Sequence, residues 1–227
     1  ITGSISIFKS LEIIREMIRY GADVQPVVTN TAKDLINPLL FDWASNKKTI
    51  SEITGKLEFI STLKTNKIDL ILLAPATFTT INKFANGIAD NPVTLILQSA
   101  LGFKIPILIV PAMHENLYDN PILQKNIEKL KELGVSFIPP DIQEDKAKIS
   151  DKADIIDHIV KKIHKKDMIG IKYLVTAGPT HEQIDPIRYI TNASSGKMGI
   201  SIAKELWYRG ADVTLIHGNI SIEIPKM

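Results

Sequence analysis

The sequence contains no cysteine. That absence excludes disulfides, thiolate metal sites and a cysteine nucleophile, and it is compatible with a reducing cytoplasm, the expected location. Long apolar runs are also missing: none reaches the ~18 residues of a membrane-spanning helix, so no membrane association is expected. The first residues show no secretory leader pattern. An excess of one charge sign is lacking as well, with a formal net charge of +2, too little to argue for a nucleic-acid partner. Basic residues do cluster at Lys161, Lys162, Lys165 and Lys166. Because Ile156, Ile159, Val160 and Ile163 recur there at helical spacing, a solvated helix face is expected. There is no internal repeat and no low-complexity segment.

What is present has the balance of a folded globular chain, with 44% hydrophobic and 23% charged residues. Short apolar runs at Asp23–Val28, Asp69–Ala74, Ile105–Val110 and Val135–Ile138 read as strands. Helical patterns lie between them, at Ile7–Tyr20, Thr31–Ile36, Thr80–Asn86, Pro92–Leu101 and Pro121–Leu133. Continuous apolar strands suit a parallel sheet covered on both faces, and their alternation with helices predicts a doubly wound α/β layer. Gly21, Gly102 and Gly134 follow helical runs, where left-handed caps favour glycine. Gln143–Ser150 reads as a flap or loop, and Lys165–Gly170 as a linker. Beyond the linker, Lys172–Thr176, a polar loop, a helix over Ser195–Tyr208 and a strand over Asp212–Ile216 form a second unit. The expected organisation is a flavodoxin-like or Rossmann-like domain over 1–165, followed by the start of a second Rossmann-like domain over 171–227. The opening Ile1-Thr2-Gly3-Ser4 reads as the end of a strand whose beginning is missing.

Ligands of open parallel sheets bind beyond the carboxyl ends of the strands, and the unusual residues of this chain recur there. Gly3-Ser4 before a helix is either an ordinary turn and cap or a phosphate cradle. Thr29-Asn30-Thr31 repeats the same choice after the next strand. His114, the only histidine before His158, is by itself a structural or exposed imidazole. Its place just past a strand makes it a candidate substrate contact.

Two longer runs carry a resemblance. Ala74-Pro75-Ala76-Thr77, followed by Lys83-Phe84-Ala85-Asn86-Gly87-Ile88-Ala89-Asp90-Asn91, resembles the flavin-binding signature of the flavin-dependent cysteine decarboxylases. Pro111-Ala112-Met113-His114-Glu115-Asn116, with Pro121 and Gln124, resembles their substrate-binding motif. The resemblance implies FMN, held by Gly3, Ser4, Thr29, Thr77, Thr80 and Ser99, and substrate contacts at Ala112, Met113 and Asn116. In that family the flavin oxidises a cysteine moiety to a thioaldehyde. Carbon dioxide is lost, and the flavin is reoxidised as product forms. Three departures stand out. Phe59 occupies the best match to the family's catalytic histidine, and it cannot transfer a proton. His114 replaces the usual asparagine, as in archaeal members. The flap has no reducing cysteine.

In the second half, Thr176-Ala177-Gly178-Pro179-Thr180 and Ser194-Ser195-Gly196-Lys197-Met198-Gly199 bracket a loop and a helix start. Small residues there let backbone amides approach an anion. The pattern is not a Walker loop, since Met198 follows Gly196-Lys197, and His217-Gly218 offers no acidic ribose contact. The whole run from Thr176 to Gly199 resembles the phosphopantothenate–cysteine ligase signature. That implies CTP, with Mg2+, and activation of the substrate carboxylate for attack by cysteine. By the same resemblance Asn192 is a catalytic contact, and Gly178, Ser194, Ser195 and Gly196 line the substrate and phosphate region. Residues 171–227 are fewer than that family's ligase domain, so the protein is expected to continue beyond Met227.

Together the signatures resemble the bifunctional phosphopantothenoylcysteine decarboxylase and phosphopantothenate–cysteine ligase of coenzyme A biosynthesis. The resemblance implies phosphopantothenate, cysteine and phosphopantothenoylcysteine as substrates, and a homo-oligomer, a trimer or a multiple of it. Two alternatives keep the fold: a flavin-binding regulator of the phosphatase-inhibitor type, and a flavin enzyme such as a prenyltransferase. The ligase signature argues against both, and no acidic tail supports the first.

Overall fold

The two longest apolar runs pair as strands β1 (Ile71–Ala76) and β2 (Ile107–Pro111), in parallel, with Ile71 opposite Ile107 and Leu73 opposite Ile109. The structure is a computed structural model and describes residues 1–54, 63, 68–143, 146–220 and 222–225. It divides into two compact units, Ile1–Ile159 and Val160–Met227. Phe59 lies outside the described residues.

In the first unit the sheet grows outward from β1 and β2 by short contacts. The Ile1 amine donates to Val27 O at 2.8 Å and Thr29 N to Ile1 O at 3.2 Å, the bonding pattern of a parallel pair. Val27 also bridges Ile50 in parallel. Thr2 reaches across to Pro75 and Thr77, and Ser136–Phe137 pairs with the far side of β2. In chain order the segments near residues 1, 27, 50, 71, 107 and 136 therefore lie as 3-2-1-4-5-6. This is the order of the doubly wound dinucleotide fold, with its switch point between the first and fourth. The expected strand Asp23–Val28 is reduced to these few bonds, because Pro26 has no N–H to give to a ladder.

Helices cover both faces. On one side α1 (Lys9–Arg19), α2 (Asn30–Leu35) and α3 (Pro38–Ser45) bury Ile14, Ala32, Phe41 and Ala44 against Ile7 and Val28. On the other lie α4 (Phe78–Ala85), α5 (Pro92–Gly102), the single turn α6 (Glu115–Tyr118) and α7 (Pro121–Glu132). In α7 the buried residues are Leu123, Asn126, Ile127 and Leu130, a core-facing stripe at helical spacing.

Three helices begin on an Asn-Pro pair. Asn37, Asn91 and Asn120 each accept an N–H of the first turn, and the proline takes a position where its missing N–H costs nothing. Helix α3 is absent from the expected elements because Leu39 and Trp43 stay exposed while Phe41 and Ala44 are buried, which blurs its period. Asn37-Pro38 was the available signal.

The Gln143–Ser150 stretch is not a plain loop. Strands β5 (Asp141–Gln143) and β6 (Lys146–Lys148) form a hairpin, and β6 pairs antiparallel with β3 (Met113–His114). Strand β4 (Ser136–Phe137) and helix α8 (Lys152–Ile163) flank the hairpin in sequence.

The second unit is a parallel pair, β7 (Lys172–Ala177) and β10 (Asp212–His217), with Val175 opposite Leu215. Helix α9 (Lys197–Tyr208) buries Ile200, Ala203 and Trp207. The polar loop holds a second, unexpected hairpin, β8 (His181–Gln183) with β9 (Tyr189–Thr191). Leu174 and Ile216, on β7 and β10, are exposed.

Phe84 belongs to the flavin-type signature, yet its side chain is 2% exposed, in one cluster with Ile81, Leu97, Leu123 and Ile127. Phe84→Ala is expected to destabilise the first unit by about 3–5 kcal/mol, as loss of a core aromatic typically does. Urea unfolding followed by circular dichroism measures it, and a loss below about 1 kcal/mol would show that Phe84 is not core.

Candidate functional site

At the switch point the chain leaves the first parallel segment through Gly3 and Ser4. A methyl group placed on Gly3 would lie 2.5 Å from Cγ2 of Thr31 and 2.7 Å from its Cβ, so only glycine fits beside the first turn of α2. The Ser4 hydroxyl donates to Ala112 O at 3.3 Å and weakly caps the short 3-10 helix Ile5–Phe8, accepting from Ser6 N at 3.4 Å. Thr29 caps α2 through Ala32 N at 3.3 Å. Thr77 stands at the start of α4, and its hydroxyl pairs with that of Thr80 at 3.0 Å. The structure thus gathers Gly3, Ser4 and Thr29 on one side of the switch point and Thr77 and Thr80 on the other, at the carboxyl ends of adjacent segments. Capping uses a hydroxyl's acceptor side, whereas a phosphate takes its O–H, so Thr29 can cap α2 and donate to an anion at once, while Ser4 would first give up its 3.3 Å bond to Ala112 O.

Ser99 is not brought to this cluster. It is half-buried, one turn before the chain passes into β2 by the Ile105 N to Ala100 O bond, at the amino end of the sheet. Two buried hydroxyls outside the cluster support the end of β1 behind it. Thr2 and Ser10 are almost fully buried and bond to Pro75 O at 2.7 Å and Ala74 O at 3.2 Å. No residue pattern marks a hydroxyl that serves a distant carbonyl.

Beyond β2, Ala112 is buried and bonds through its N–H to Ala76 O at 3.0 Å. Met113 is half-buried and His114 exposed. His114, Glu115, Asn116, Leu117 and Asp119 line a concavity of about 800 Å³. All five come from one short stretch, so this is a surface hollow over a single turn, not a pocket between elements. The flap hairpin fixes its rim, with the backbone of Lys146 opposite His114. Gln124 holds the turn by donating its amide to Tyr118 O at 2.5 Å.

Within the Lys83–Asn91 run Phe84 and Ala85 are buried, residues 86–90 are exposed, and several side chains serve the scaffold. Lys83 pairs with Asp90, and the Asp90 carboxyl is held below its ordinary range chiefly by the Lys83 hydrogen bond. Asn91 accepts from Thr94 N at 3.1 Å, and Thr94 Oγ1 accepts from Asn91 N at 3.3 Å, a reciprocal cap. Gln98 donates to Phe84 O at 2.7 Å.

In the second unit four glycines let three chain segments meet. A methyl on Gly178 or on Gly196 would lie 2.6 Å from Cγ2 of Ile220. One on Gly199 would lie 2.5 Å from Thr176 O, and one on Gly218 2.6 Å from Pro179 O. Gly178 and Gly196 also have φ of +97° and +80°, which side chains other than glycine rarely adopt. Around this knot Asn192 Oδ1 accepts from Ser194 N at 2.9 Å. Ser194 and Ser195 hydroxyls accept from Gly196 N and Lys197 N at 3.4 Å.

Asp185 closes the β8–β9 turn, accepting from Ile187 N at 2.9 Å, Arg188 N at 2.7 Å and Arg188 Nε at 2.5 Å. The two backbone bonds, then the guanidinium, hold its carboxyl below the ordinary range. The ring of His181 stacks on Tyr189 at 4.3 Å. Among the described residues no three His, Cys, Asp or Glu side chains are grouped to hold a metal ion. No helix among them is long and apolar enough to cross a membrane.

The basic cluster is more than a solvated face. The Lys161 amine sits 3.9 Å above the Trp207 ring. Lys166 donates to Lys161 O and to Tyr208 O, filling one carbonyl near the end of α8 and one at the end of α9. Burial lowers the pKa of both amines.

A doubly wound layer in this strand order, with a hydroxyl-lined switch point, defines an α/β domain of the Rossmann-like type. Residues 1–164 match the family model Flavoprotein, and the chain belongs to that family. Residues 168–227 match the model described as DNA/pantothenate metabolism flavoprotein C-terminal domain. The chain is similar to the coenzyme A biosynthesis bifunctional protein CoaBC of Thermococcus kodakarensis, 47% identical over 224 residues, covering 98% of this chain and 55% of that one. It therefore spans about half the length of the curated relatives it matches. Its fold resembles that of the peptidyl-cysteine decarboxylase EpiD, with a TM-score of 0.60 and 28% identity over 70% of this chain and 94% of that one. It also resembles the FMN-dependent cysteine decarboxylase SpaF, with a TM-score of 0.59 and 21% identity over 68% and 89%.

The glycine knot generates a sharp expectation. Gly199→Ala forces its new methyl group onto the Thr176 carbonyl and Ala177, both backbone-anchored, so helix α9 must separate from β7. Loss of cooperative melting of the second unit, with the first unit's transition intact, is the expected calorimetric result. An unchanged profile would show that α9 can shift freely.

Proposed function

We propose that the first unit is an FMN-dependent decarboxylase acting on phosphopantothenoylcysteine in coenzyme A biosynthesis. We further propose that the second unit begins a phosphopantothenate–cysteine ligase using CTP. One observation carries the first reading: Gly3, Ser4 and Thr29 face the Thr77–Thr80 hydroxyl pair across the topological switch point, where sheets of this type bind ligands. A glycine with no room for a methyl, ringed by hydroxyls, fits a phosphate and a polar ring edge. Gly3, Ser4 and Thr29 would hold the phosphate of FMN, and Thr77 and Thr80 its ring. When bound, FMN supplies the oxidation of the cysteine moiety that makes loss of carbon dioxide easy.

The protein's own part is orientation. His114 and Asn116 stand on the exposed turn just past β2, where they can meet the substrate's carboxylate and amide, with Ala112 and Met113 forming the floor. His114 brings the turn's one imidazole, a group able to give or take a proton. Phe59, in place of an expected histidine, can carry no proton. The kinship to the CoaBC protein of T. kodakarensis over 98% of this chain supports the substrate assignment.

For the second unit, Gly178, Ser194, Ser195 and Gly196 would line the phosphate and substrate region, and Asn192 would contact the activated acyl group. No step through Mg2+ follows from the described side chains. The domain boundaries proposed are 1–165 and 171–227. The assembly proposed is a homo-oligomer, a trimer or a multiple of it, in which Ser99 would meet a flavin held by another copy.

Two measurements test this. The purified protein should bind FMN without a covalent bond, and His114→Ala should keep FMN content while reducing carbon dioxide release from phosphopantothenoylcysteine by ~10²-fold, the low end for a general acid–base group. Phe59→His should raise that release. Failure to take up FMN would overturn the reading, and full activity in His114→Ala would remove His114 from it. Light scattering of the FMN-bound protein should give three chains or a multiple, and a monomeric mass would exclude the shared site.

A further inference from the structure

The register of β1 against β2 slips between Leu73 and Ala76. Two carbonyls in this slip, those of Ala74 and Pro75, are met by side chains: the Ser10 and Thr2 hydroxyls, at 3.2 and 2.7 Å. The two bonds are alike in kind and burial, with Thr2 1% and Ser10 2% exposed. They differ in one respect. The Thr2 oxygen also accepts from Thr77 N at 3.1 Å, so it spans the irregularity from the carbonyl of residue 75 to the amide of residue 77. Pro75 has no N–H, so β1 presents only an acceptor there and a donor two residues on. A hydroxyl, which can donate and accept at once, satisfies both.

Thr77 is the residue on which this converges. It begins α4, but its hydroxyl does not cap the helix as a threonine in that position normally does. It pairs instead with the hydroxyl of Thr80. With the Thr77 amide tied to Thr2, the backbone of Thr77 is fixed, and its side chain is left to present the pair toward the switch point. Thr2 itself is too deeply buried to touch a ligand.

We infer that Thr2 is a positioning residue of the flavin site: its hydroxyl locks the Thr77 amide and so aims the Thr77–Thr80 hydroxyl pair at the bound ring. This rests on the FMN reading above. Ser10 has no such link and serves only the strand.

The test compares FMN affinity by fluorescence quenching, and the visible circular dichroism of the bound flavin, in the parent, Thr2→Val, Thr2→Ser and Ser10→Ala. Thr2→Val should weaken FMN binding about tenfold, the effect of losing one buried hydrogen bond, and change the flavin dichroism at saturation. Thr2→Ser should restore both. Ser10→Ala should lower the melting temperature yet bind FMN as the parent does. Equal binding in folded Thr2→Val, or equal weakening in Ser10→Ala, overturns the inference, the second because stability alone then explains it. If Thr2→Val does not fold, Thr2→Cys, a poorer donor and acceptor, should weaken binding several-fold, and parent-like affinity there overturns the inference too. A parent that binds no FMN refutes the flavin reading itself, a result these variants cannot mimic.

Discussion

Two carbonyl oxygens near the end of β1, on Ala74 and Pro75, set the terms for the ligand-binding end of the first unit. They lie where the strand's register slips, and an unpaired buried carbonyl costs about 1–3 kcal/mol. Both are satisfied from the amino-terminal segment, by Thr2 and Ser10. Those bonds dock that segment against β1, and Gly3 and Ser4 follow from it at once. The switch point is therefore a junction sewn by side chains. Around it the arrangement of Thr29, Thr77 and Ala112 is a consequence of where the first four residues are held.

The fold was legible where apolar periodicity was strong. Helix α7 and strands β1 and β2 lie within a few residues of their expected places, since α7 buries a regular stripe and the strands are apolar and buried almost throughout. It was not legible where burial is irregular. Helix α3 exposes Trp43, which lies under the Arg15 guanidinium at 5.0 Å, and so hides its amphipathic face. The hairpins β5–β6 and β8–β9 are short and polar, and their pairing is decided by turns and distant partners. Of the candidate site, glycines and cap residues were readable because their chemistry is local. Thr2 and Ser10 were not, because a hydroxyl's partner many residues away leaves no trace in spacing.

A sequence signature also mixes two kinds of constraint that only geometry separates. In the Ala74–Asn91 run, Thr77 and Thr80 face the switch point. Phe84, Asn91 and the Lys83–Asp90 pair hold α4 and α5 in place. The same is true of the run from Thr176 to Gly199. Asp185 and Arg188 close a turn there, while Ser194 and Ser195 stand at the start of α9. Length of match, then, measures how much scaffold a site needs as well as how much chemistry it holds.

The glycine knot bears on how the second unit can change over generations. Gly178, Gly196, Gly199 and Gly218 each abut backbone or a packed side chain, so almost any replacement is blocked whatever its chemistry. Beside them every residue of β8 and β9 is exposed, held by surface contacts such as the His181–Tyr189 stack and not by a core. Selection acting on this unit therefore meets a fixed knot of four small residues next to a hairpin with fewer steric limits. New specificities would arise on the hairpin, while drift at the knot would be purged before any effect on catalysis could be felt.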